Sequence, residues 1–167
     1  MHKQDISIIY TKSNLSDNTN WQVINDGVMG GLSEGYVGSS ETGNTIFKGF
    51  VSTDNYGGFS SIKYTSNKRG ISVFKYLVLI VKGDGKCYQF RIKDDISHRY
   101  SYVKTFKTSG VCETIKIPLN DFYPTFRGKK LDMPNFSGDT MEEIGFLIGN
   151  KTKESFSLEI ESIFLEA

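Results

Sequence analysis

Apolar side chains recur at every second position in several short stretches of this 167-residue chain. The alternation is clearest at residues 88–93 and 156–161, and it is also present at residues 47–52. A period of two places one set of side chains on each face of an extended strand. The only alanine is Ala167, so the composition does not favour helix. The pattern predicts an all-β chain of about ten short strands, folded as an antiparallel β-sandwich or jelly roll.

Further strands are expected near residues 6–10, 21–24, 59–65, 100–107, 113–118 and 144–149. Residues 77–81 are continuously apolar, which is typical of a central strand that is covered on both faces. Asp84-Gly85 follows closely and predicts a β-hairpin, and a short helical turn is expected at Asp139 to Glu143. The buried core is expected to include Phe47, Val51, Leu79, Phe90, Ile117, Phe146, Leu158 and Ile160.

Two glycine pairs occur in the segment from residue 21 to residue 59. Glycine adopts backbone conformations that strain other residues, so Gly30-Gly31 and Gly57-Gly58 are predicted to form tight corners or close approaches between strands. Trp21, the only tryptophan of the chain, is expected to anchor the core against Gly30-Gly31.

Asp26 lies in the same segment, where a carboxylate among apolar and glycine residues is costly unless it accepts hydrogen bonds. An Asx-turn, in which Asp26 accepts bonds from the amides of Val28 and Met29, accounts for the spacing. Under this interpretation Asp26→Ala is expected to cost about 1–3 kcal/mol. The alternative is that Asp26 and Met29 face a ligand or a partner. Arg127 either ties its own loop to a carboxylate such as Asp26 or faces an anionic partner.

Several motifs of the chain resemble those of a known family. They are Asp26-Gly27-Val28-Met29-Gly30-Gly31, Gly57-Gly58-Phe59, Gly83-Asp84-Gly85-Lys86, Ile117-Pro118-Leu119 and Pro124-Thr125-Phe126-Arg127-Gly128. Together they are similar to the CIA30 family, the complex I intermediate-associated protein 30 domain, over roughly residues 20–165. The resemblance implies a β-sandwich of the galactose-binding-like type, in which Trp21, Gly27 and Phe59 belong with the glycine pairs to a structural loop.

The function that the resemblance implies is binding without catalysis. A domain similar to the CIA30 assembly factors is expected to act as a chaperone that holds a protein partner. The partner would be held during assembly of a respiratory NADH dehydrogenase or of another multi-subunit complex. The chain differs from the residues usual in the family at Gly35, where Ser is common, and at Tyr56, where Asn is common. These differences leave the identity of the partner open.

Composition limits the remaining possibilities. The length fits one domain spanning residues 1–167, in which residues 1–20 are either flexible or an edge strand pairing with the C-terminal one. A net charge of +1 provides no field for nucleic acid. The longest apolar run has five residues, against about 20 for a membrane-spanning helix. Cys87 and Cys112 cannot form a disulfide framework and no secretory signal is recognised, which predicts free thiols in the cytoplasm.

Enzyme and cofactor chemistry have little support in the sequence. His98 is the only histidine away from the terminus, and it is expected to be a solvated loop residue without an orienting partner. Adjacent carboxylates such as Asp94-Asp95 point apart on a strand or turn, unlike a glycosidase pair. The sequence contains no zinc or phosphate motif, and no cofactor is expected. Asp17, Asn18 and Asn20 are candidate calcium ligands, and the alternative is an ordinary polar loop.

A carbohydrate-binding module on the same scaffold is the alternative function. Tyr100 and Tyr102 lie on one face of a predicted strand, and Gln89 and Arg91 lie on the polar face of a neighbouring one. Aromatic rings that stack on sugar C–H groups, beside planar amide and guanidinium donors, are typical of sugar sites. The concave sheet of a jelly roll is where such a surface is expected. The competing interpretation packs the two tyrosines in the core.

Overall fold

A computed structural model describes residues 6–11, 21–25, 33–53 and 58–167 of the chain. The strands are β1 (Ile6–Thr11), β2 (Trp21–Asn25), β3 (Glu34–Ser39), β4 (Thr45–Val51), β5 (Ser60–Arg69), β6 (Tyr76–Lys82), β7 (Cys87–Lys93), β8 (Ser101–Lys107), β9 (Cys112–Pro118), β10 (Tyr123–Phe126), β11 (Lys129–Lys130), β12 (Thr140–Ile148) and β13 (Glu154–Glu166). Within these ranges the only helical element is one turn of 3-10 helix at Leu119–Asp121. None of the described residues forms a helix long and apolar enough to cross a bilayer. The prediction of an all-β chain is confirmed.

The strands form two antiparallel sheets. The six-stranded sheet has the order β3-β4-β13-β6-β9, with β1 also paired to β13, and the seven-stranded sheet has the order β11-β10-β8-β7-β12-β5-β2. The long strand β13 pairs with β4 through its first half and with β1 and β6 through its second half. Residues 6–11 therefore pair with the C-terminal strand, as in one of the two possibilities that the sequence left open. The other residues of the segment 1–20 lie outside the described residues.

The core lies between the two sheets and is built from alternate positions of their strands. Eight residues were expected to be buried, and all are at most 6% exposed: Phe47, Val51, Leu79, Phe90, Ile117, Phe146, Leu158 and Ile160. Phe90 meets Phe146 edge to face, with ring centroids 5.1 Å apart, in a geometry that aromatic pairs prefer. The burial of these side chains holds the sandwich together, and it leaves the intervening residues on the outer faces of the sheets.

Trp21 begins β2 and is 5% exposed. Its ring centroid lies 5.6 Å from that of Tyr10, 5.0 Å from that of Tyr64 and 6.0 Å from that of Phe146. Trp21 is therefore a core residue, as predicted. Its expected neighbours Gly30-Gly31 lie outside the described residues.

The predicted hairpin at Asp84-Gly85 is wrong, because the strands on either side of it belong to different sheets. β6 pairs with β13 and β9, whereas β7 pairs with β12 and β8. Residues 83–86 therefore carry the chain across the core from one sheet to the other. Gly85 has a φ of 86°, a left-handed conformation that glycine adopts readily, and the chain bends there. A turn signal is local and does not determine which strand becomes the hydrogen-bonded neighbour.

The predicted helical turn at Asp139 to Glu143 is also wrong, since Thr140 begins strand β12. This strand is central in its sheet and pairs with both β5 and β7. Pairing on two edges outweighs a weak local preference for a helical cap. Asp139 instead ties the loop to its neighbour, because its Oδ1 accepts a hydrogen bond from the Ser72 amide at 3.1 Å.

Candidate functional site

The outer face of the seven-stranded sheet carries the polar positions of β7. Phe90 and Ile92 point into the core, so Gln89 and Arg91 project from the opposite face of the strand. Strand pairing places Arg91 between Val103 of β8 and Gly145 of β12. The register of the sheet therefore fixes which side chains surround Arg91.

A groove of about 310 Å³ opens on this outer face. It is lined by Gln89, Arg91, Val103, Tyr123, Thr125, Gly128 and Lys130, and we call it the Arg91 groove. Val103, only 1% exposed, is the most buried of these residues, and Tyr123 lies opposite it on β10. Lys130 on the short strand β11 pairs with Thr125. Four strands, β7, β8, β10 and β11, thus contribute side chains to one concavity.

The Arg91 groove is cationic. Arg91 is half-buried, and its Nη1 donates a hydrogen bond to Oε1 of Gln89 at 3.1 Å. Burial lowers the pKa of Arg91, while the carboxylate of Glu143 acts in the opposite direction. An arginine keeps its charge under such influences at neutral pH. Lys130 supplies a second positive charge, and its Nζ lies 5.6 Å from the centroid of the Tyr123 ring.

The structure brings together Gln89 and Arg91 but places the two predicted tyrosines elsewhere. Tyr102 pairs with Ile92, so it points to the core face of β8, and it is 8% exposed. Burial, and then the nearby carboxylate of Asp94, raise the pKa of Tyr102 to about 12. Tyr100 is half-buried and packs against the core. Neither tyrosine therefore shares a face with Arg91, because Tyr102 points inward from β8 and Tyr100, which precedes β8, packs against the core.

The other residues predicted to contact a partner or to form the structural loop do not all lie in the part of the chain that the structure describes. Arg127 is exposed in the turn between β10 and β11, with a φ of 52°, and its guanidinium carbon lies 5.2 Å from the centroid of the Phe126 ring. Gly128, the next residue, lines the Arg91 groove. Six predicted positions lie outside the described residues: Asp26, Gly27, Met29, Gly30, Gly31 and Gly57. Their roles stay predictions.

Sequence reasoning missed Tyr123, Thr125 and Lys130. The sequence does contain a feature that could have indicated them, because Tyr123 and Thr125 occupy alternate positions of a short strand before the turn at Gly128. In the sequence, residues 124–128 of that segment are distinguished only by their resemblance to a CIA30 motif. Its edge position beside β8 follows from long-range pairing, which the local pattern does not contain.

His98 has an orienting partner, contrary to expectation. Its Nδ1 lies 3.0 Å from Oδ1 of Asp94, and its ring stacks on that of Tyr100 with centroids 4.8 Å apart. The His98 carbonyl also accepts a hydrogen bond from Nζ of Lys93 at 2.7 Å. These contacts hold the loop between β7 and β8.

Metal-ligating side chains do not converge in the part of the chain that the structure describes. No three of its His, Cys, Asp or Glu residues are placed to hold a metal ion. The candidate calcium ligands Asp17, Asn18 and Asn20 lie outside that part.

Solved structures share this fold. A family 11 carbohydrate-binding module from Clostridium thermocellum, in complex with a β-1,3-1,4-mixed-linked tetrasaccharide, is 18% identical with a TM-score of 0.71. The match covers 99% of this chain and 96% of the module. A family 29 carbohydrate-binding module is 10% identical with a TM-score of 0.51, over 98% of this chain and 93% of that one. An agarase is 11% identical with a TM-score of 0.63, over 97% of this chain and 24% of the agarase.

These likenesses define the class of fold, a two-sheet jelly roll that other proteins use as a binding module. The family follows from the sequence match, because the Complex I intermediate-associated protein 30 (CIA30) family matches residues 10–160. The match covers most of the chain. The chain belongs to the CIA30 family, as its motifs indicated.

Proposed function

We propose that this domain binds a protein partner without catalysis and holds it during assembly of a respiratory NADH dehydrogenase or another multi-subunit complex. The proposed contact surface is the outer face of the seven-stranded sheet, centred on the Arg91 groove. One observation carries this choice of surface. A half-buried guanidinium lines a concavity to which four strands contribute, where a partner side chain can reach it.

The residue types of the groove support a protein interface. Binding energy at such interfaces is concentrated in a few residues, and arginine and tyrosine in pockets are over-represented among them. Arg91 and Tyr123 are of these types. Lys63 and Glu143 lie on the same face with their charged atoms 3.7 Å apart, and such partly exposed pairs are typical of a polar rim.

Two further observations fit this proposal. The chain belongs to a family described by its association with complex I intermediates. Both cysteines are free thiols, Cys87 half-buried and Cys112 exposed, which is typical of a reducing compartment. A cytoplasmic location is therefore part of the proposal.

Site-specific cross-linking tests the surface. A photo-reactive amino acid replaces Thr105, which is exposed and lies opposite Gln89 on the outer face of the seven-stranded sheet. The matched control replaces Thr114, which is exposed on the outer face of the six-stranded sheet. We expect cross-links from position 105, identified by mass spectrometry as a subunit of a multi-subunit complex, and none from position 114. Cross-links from position 114 alone would move the interface to the other sheet.

The absence of catalysis has its own test. His98→Ala removes the histidine that Asp94 orients, so a hidden activity that used this imidazole would be lost. We expect partner binding and any partner-dependent activity to stay unchanged in this variant. Loss of a partner-dependent activity with an unchanged melting temperature would support an enzyme instead.

Carbohydrate binding is the second candidate function. The observation that favours it is the Tyr123 ring beside the planar groups of Gln89 and Arg91, on a fold shared with carbohydrate-binding modules. Tyr123 would then take the stacking role first expected of Tyr100 and Tyr102. A glycan array that includes mixed-linkage β-glucan tests this candidate. Binding that Tyr123→Ala abolishes would establish it, and an array without hits would remove it.

A further inference from the structure

The Arg91 groove has the charge and shape to recognise one chemical group. We infer that it binds the carboxylate of an acidic side chain, presented by an acidic segment of the partner protein. This inference rests on the proposed function and names the chemistry of its site.

The first step is the donor capacity of Arg91. A guanidinium carries five N–H donors in a planar fork, and the hydrogen bond to Gln89 uses one of them. Gln89 lies two residues earlier on the same face of β7 and orients the plane of the guanidinium. A carboxylate accepts two parallel hydrogen bonds from such a fork, and these charge-assisted bonds are stronger than bonds between neutral groups.

The second step is the charge of the lining. Of the seven residues that line the groove, two are cations, Arg91 and Lys130, and none is an anion. The nearby carboxylate of Glu143 has a cation of its own, because Lys63 Nζ lies 3.7 Å from its Oε1. Because Lys63 offsets the charge of Glu143, an anion entering the groove meets a net positive charge from Arg91 and Lys130. A cation or a neutral group does not gain from that charge.

The third step separates an acidic peptide from a sugar. Sugar rings bind aromatic side chains by stacking on an open ring face. The Lys130 ammonium already lies over the Tyr123 ring, 5.6 Å from its centroid. The volume of about 310 Å³ is at the lower end for ligand sites, which suits one inserted side chain better than a chain of sugar rings. These features favour a glutamate or aspartate side chain.

Titration calorimetry with the full chain tests this inference. The probes are an oligoglutamate peptide, an oligoglutamine peptide of equal length and a galacturonate oligomer. We expect only the oligoglutamate peptide to bind, with an affinity that falls as salt rises. Equal binding of the oligoglutamine peptide would overturn the carboxylate assignment. Binding of the galacturonate oligomer alone would reassign the carboxylate to a sugar and overturn the peptide assignment.

Three variants locate the binding. Arg91→Lys keeps the charge and removes the fork, so we expect affinity for oligoglutamate to fall at least about tenfold. Lys130→Gln removes the second charge and should weaken binding about threefold to tenfold. Lys48→Gln is the matched control on the other sheet, where the lysine is exposed, and should change nothing. Equal affinities in all three variants would overturn the inference.

Nuclear magnetic resonance keeps the test decisive if an Arg91 variant does not fold. Oligoglutamate added to the unaltered protein should shift the amide signals of Gln89, Val103 and Gly128, and unchanged signals there would contradict the inference.

Cross-linking separates this inference from the proposed function. A cross-link from position 105 that persists in the Arg91→Lys variant would support the proposed function and overturn the carboxylate assignment. Oligoglutamate binding by a protein that forms no cross-link to a partner would support the carboxylate assignment and contradict the proposed function.

Discussion

Gly83 lies against Thr108 so closely that a Cβ built on Gly83 would be 2.2 Å from the Cβ of Thr108. The Thr108 hydroxyl accepts a hydrogen bond from the Gly85 amide at 3.0 Å and donates one to the Lys86 carbonyl at 2.8 Å. Thr108 follows β8 and is 2% exposed. From inside the protein it therefore holds residues 83–86, the segment that crosses between the two sheets and that we call the crossing. The absence of a side chain at Gly83 is what permits this approach.

Gly83→Ala is therefore expected to destabilise the protein by about 1–3 kcal/mol, because the added methyl group overpacks a buried contact. Chemical denaturation measures the loss. Gly38→Ala is the matched control, since a Cβ on Gly38 meets nothing within 4 Å, and it should be neutral. Equal stabilities of the two variants would show that the Thr108 contact relaxes freely.

Asp84 links the crossing to both sheets. Its Oδ1 accepts hydrogen bonds from the Tyr88 hydroxyl at 3.0 Å and the Lys86 amide at 3.2 Å, and its Oδ2 accepts one from the Ser157 amide at 2.8 Å. Asp84→Ala leaves these donors without their acceptor, including the hydroxyl of buried Tyr88, and should cost about 2–3 kcal/mol. Asp132→Ala at an exposed position is the control and should be near neutral.

A double-mutant cycle isolates the Tyr88 part of this effect. Tyr88→Phe removes the hydroxyl that Asp84 accepts, so the two substitutions together should cost less than the sum of their separate effects. Strict additivity in thermal unfolding would contradict the hydrogen bond between Tyr88 and Asp84.

Gly58 has a φ of 146°, a conformation that residues with a Cβ rarely adopt. A Cβ on Gly58 meets nothing within 4 Å, so the cost of a substitution comes from the backbone and not from packing. Gly58→Val should cost about 1–3 kcal/mol. Gly38→Val, without a positive φ, provides the comparison. An unchanged melting temperature for Gly58→Val together with lost partner binding would assign this glycine to recognition.

Alkaline pH should destabilise the protein through Tyr102. Its pKa is raised from an ordinary value of 10.0 to about 12, so the folded protein holds this proton more tightly than the unfolded chain. The stability that this provides is fully present below about pH 10 and is lost as pH rises toward about pH 12. Tyr102→Phe should lose less stability over that interval. Urea unfolding at about pH 9 and about pH 11 measures the difference, and parallel losses in both proteins would contradict the prediction.

Residue alternation predicts only two of the residues that line the candidate site, Gln89 and Arg91. The alternation at residues 88–93 placed Gln89 and Arg91 on the polar face of a strand, and the structure has them there. The same rule placed Tyr100 and Tyr102 together on one face of the next strand. It did not indicate that this face points to the core, because the direction of a face depends on which strand pairs with which.

The all-β class, the buried positions of the strands and membership of the CIA30 family follow from the amino-acid sequence alone. These properties depend on local period and on residue identity, and both can be recognised along the chain. The crossing of residues 83–86 between the sheets is visible only in the fold, as is the groove that β10 and β11 complete beside Arg91. Strand pairing joins residues far apart in sequence, and its register is set by the burial of one whole face against the other sheet. A local pattern contains no information about that partner, so the Arg91 groove exists only in the folded protein.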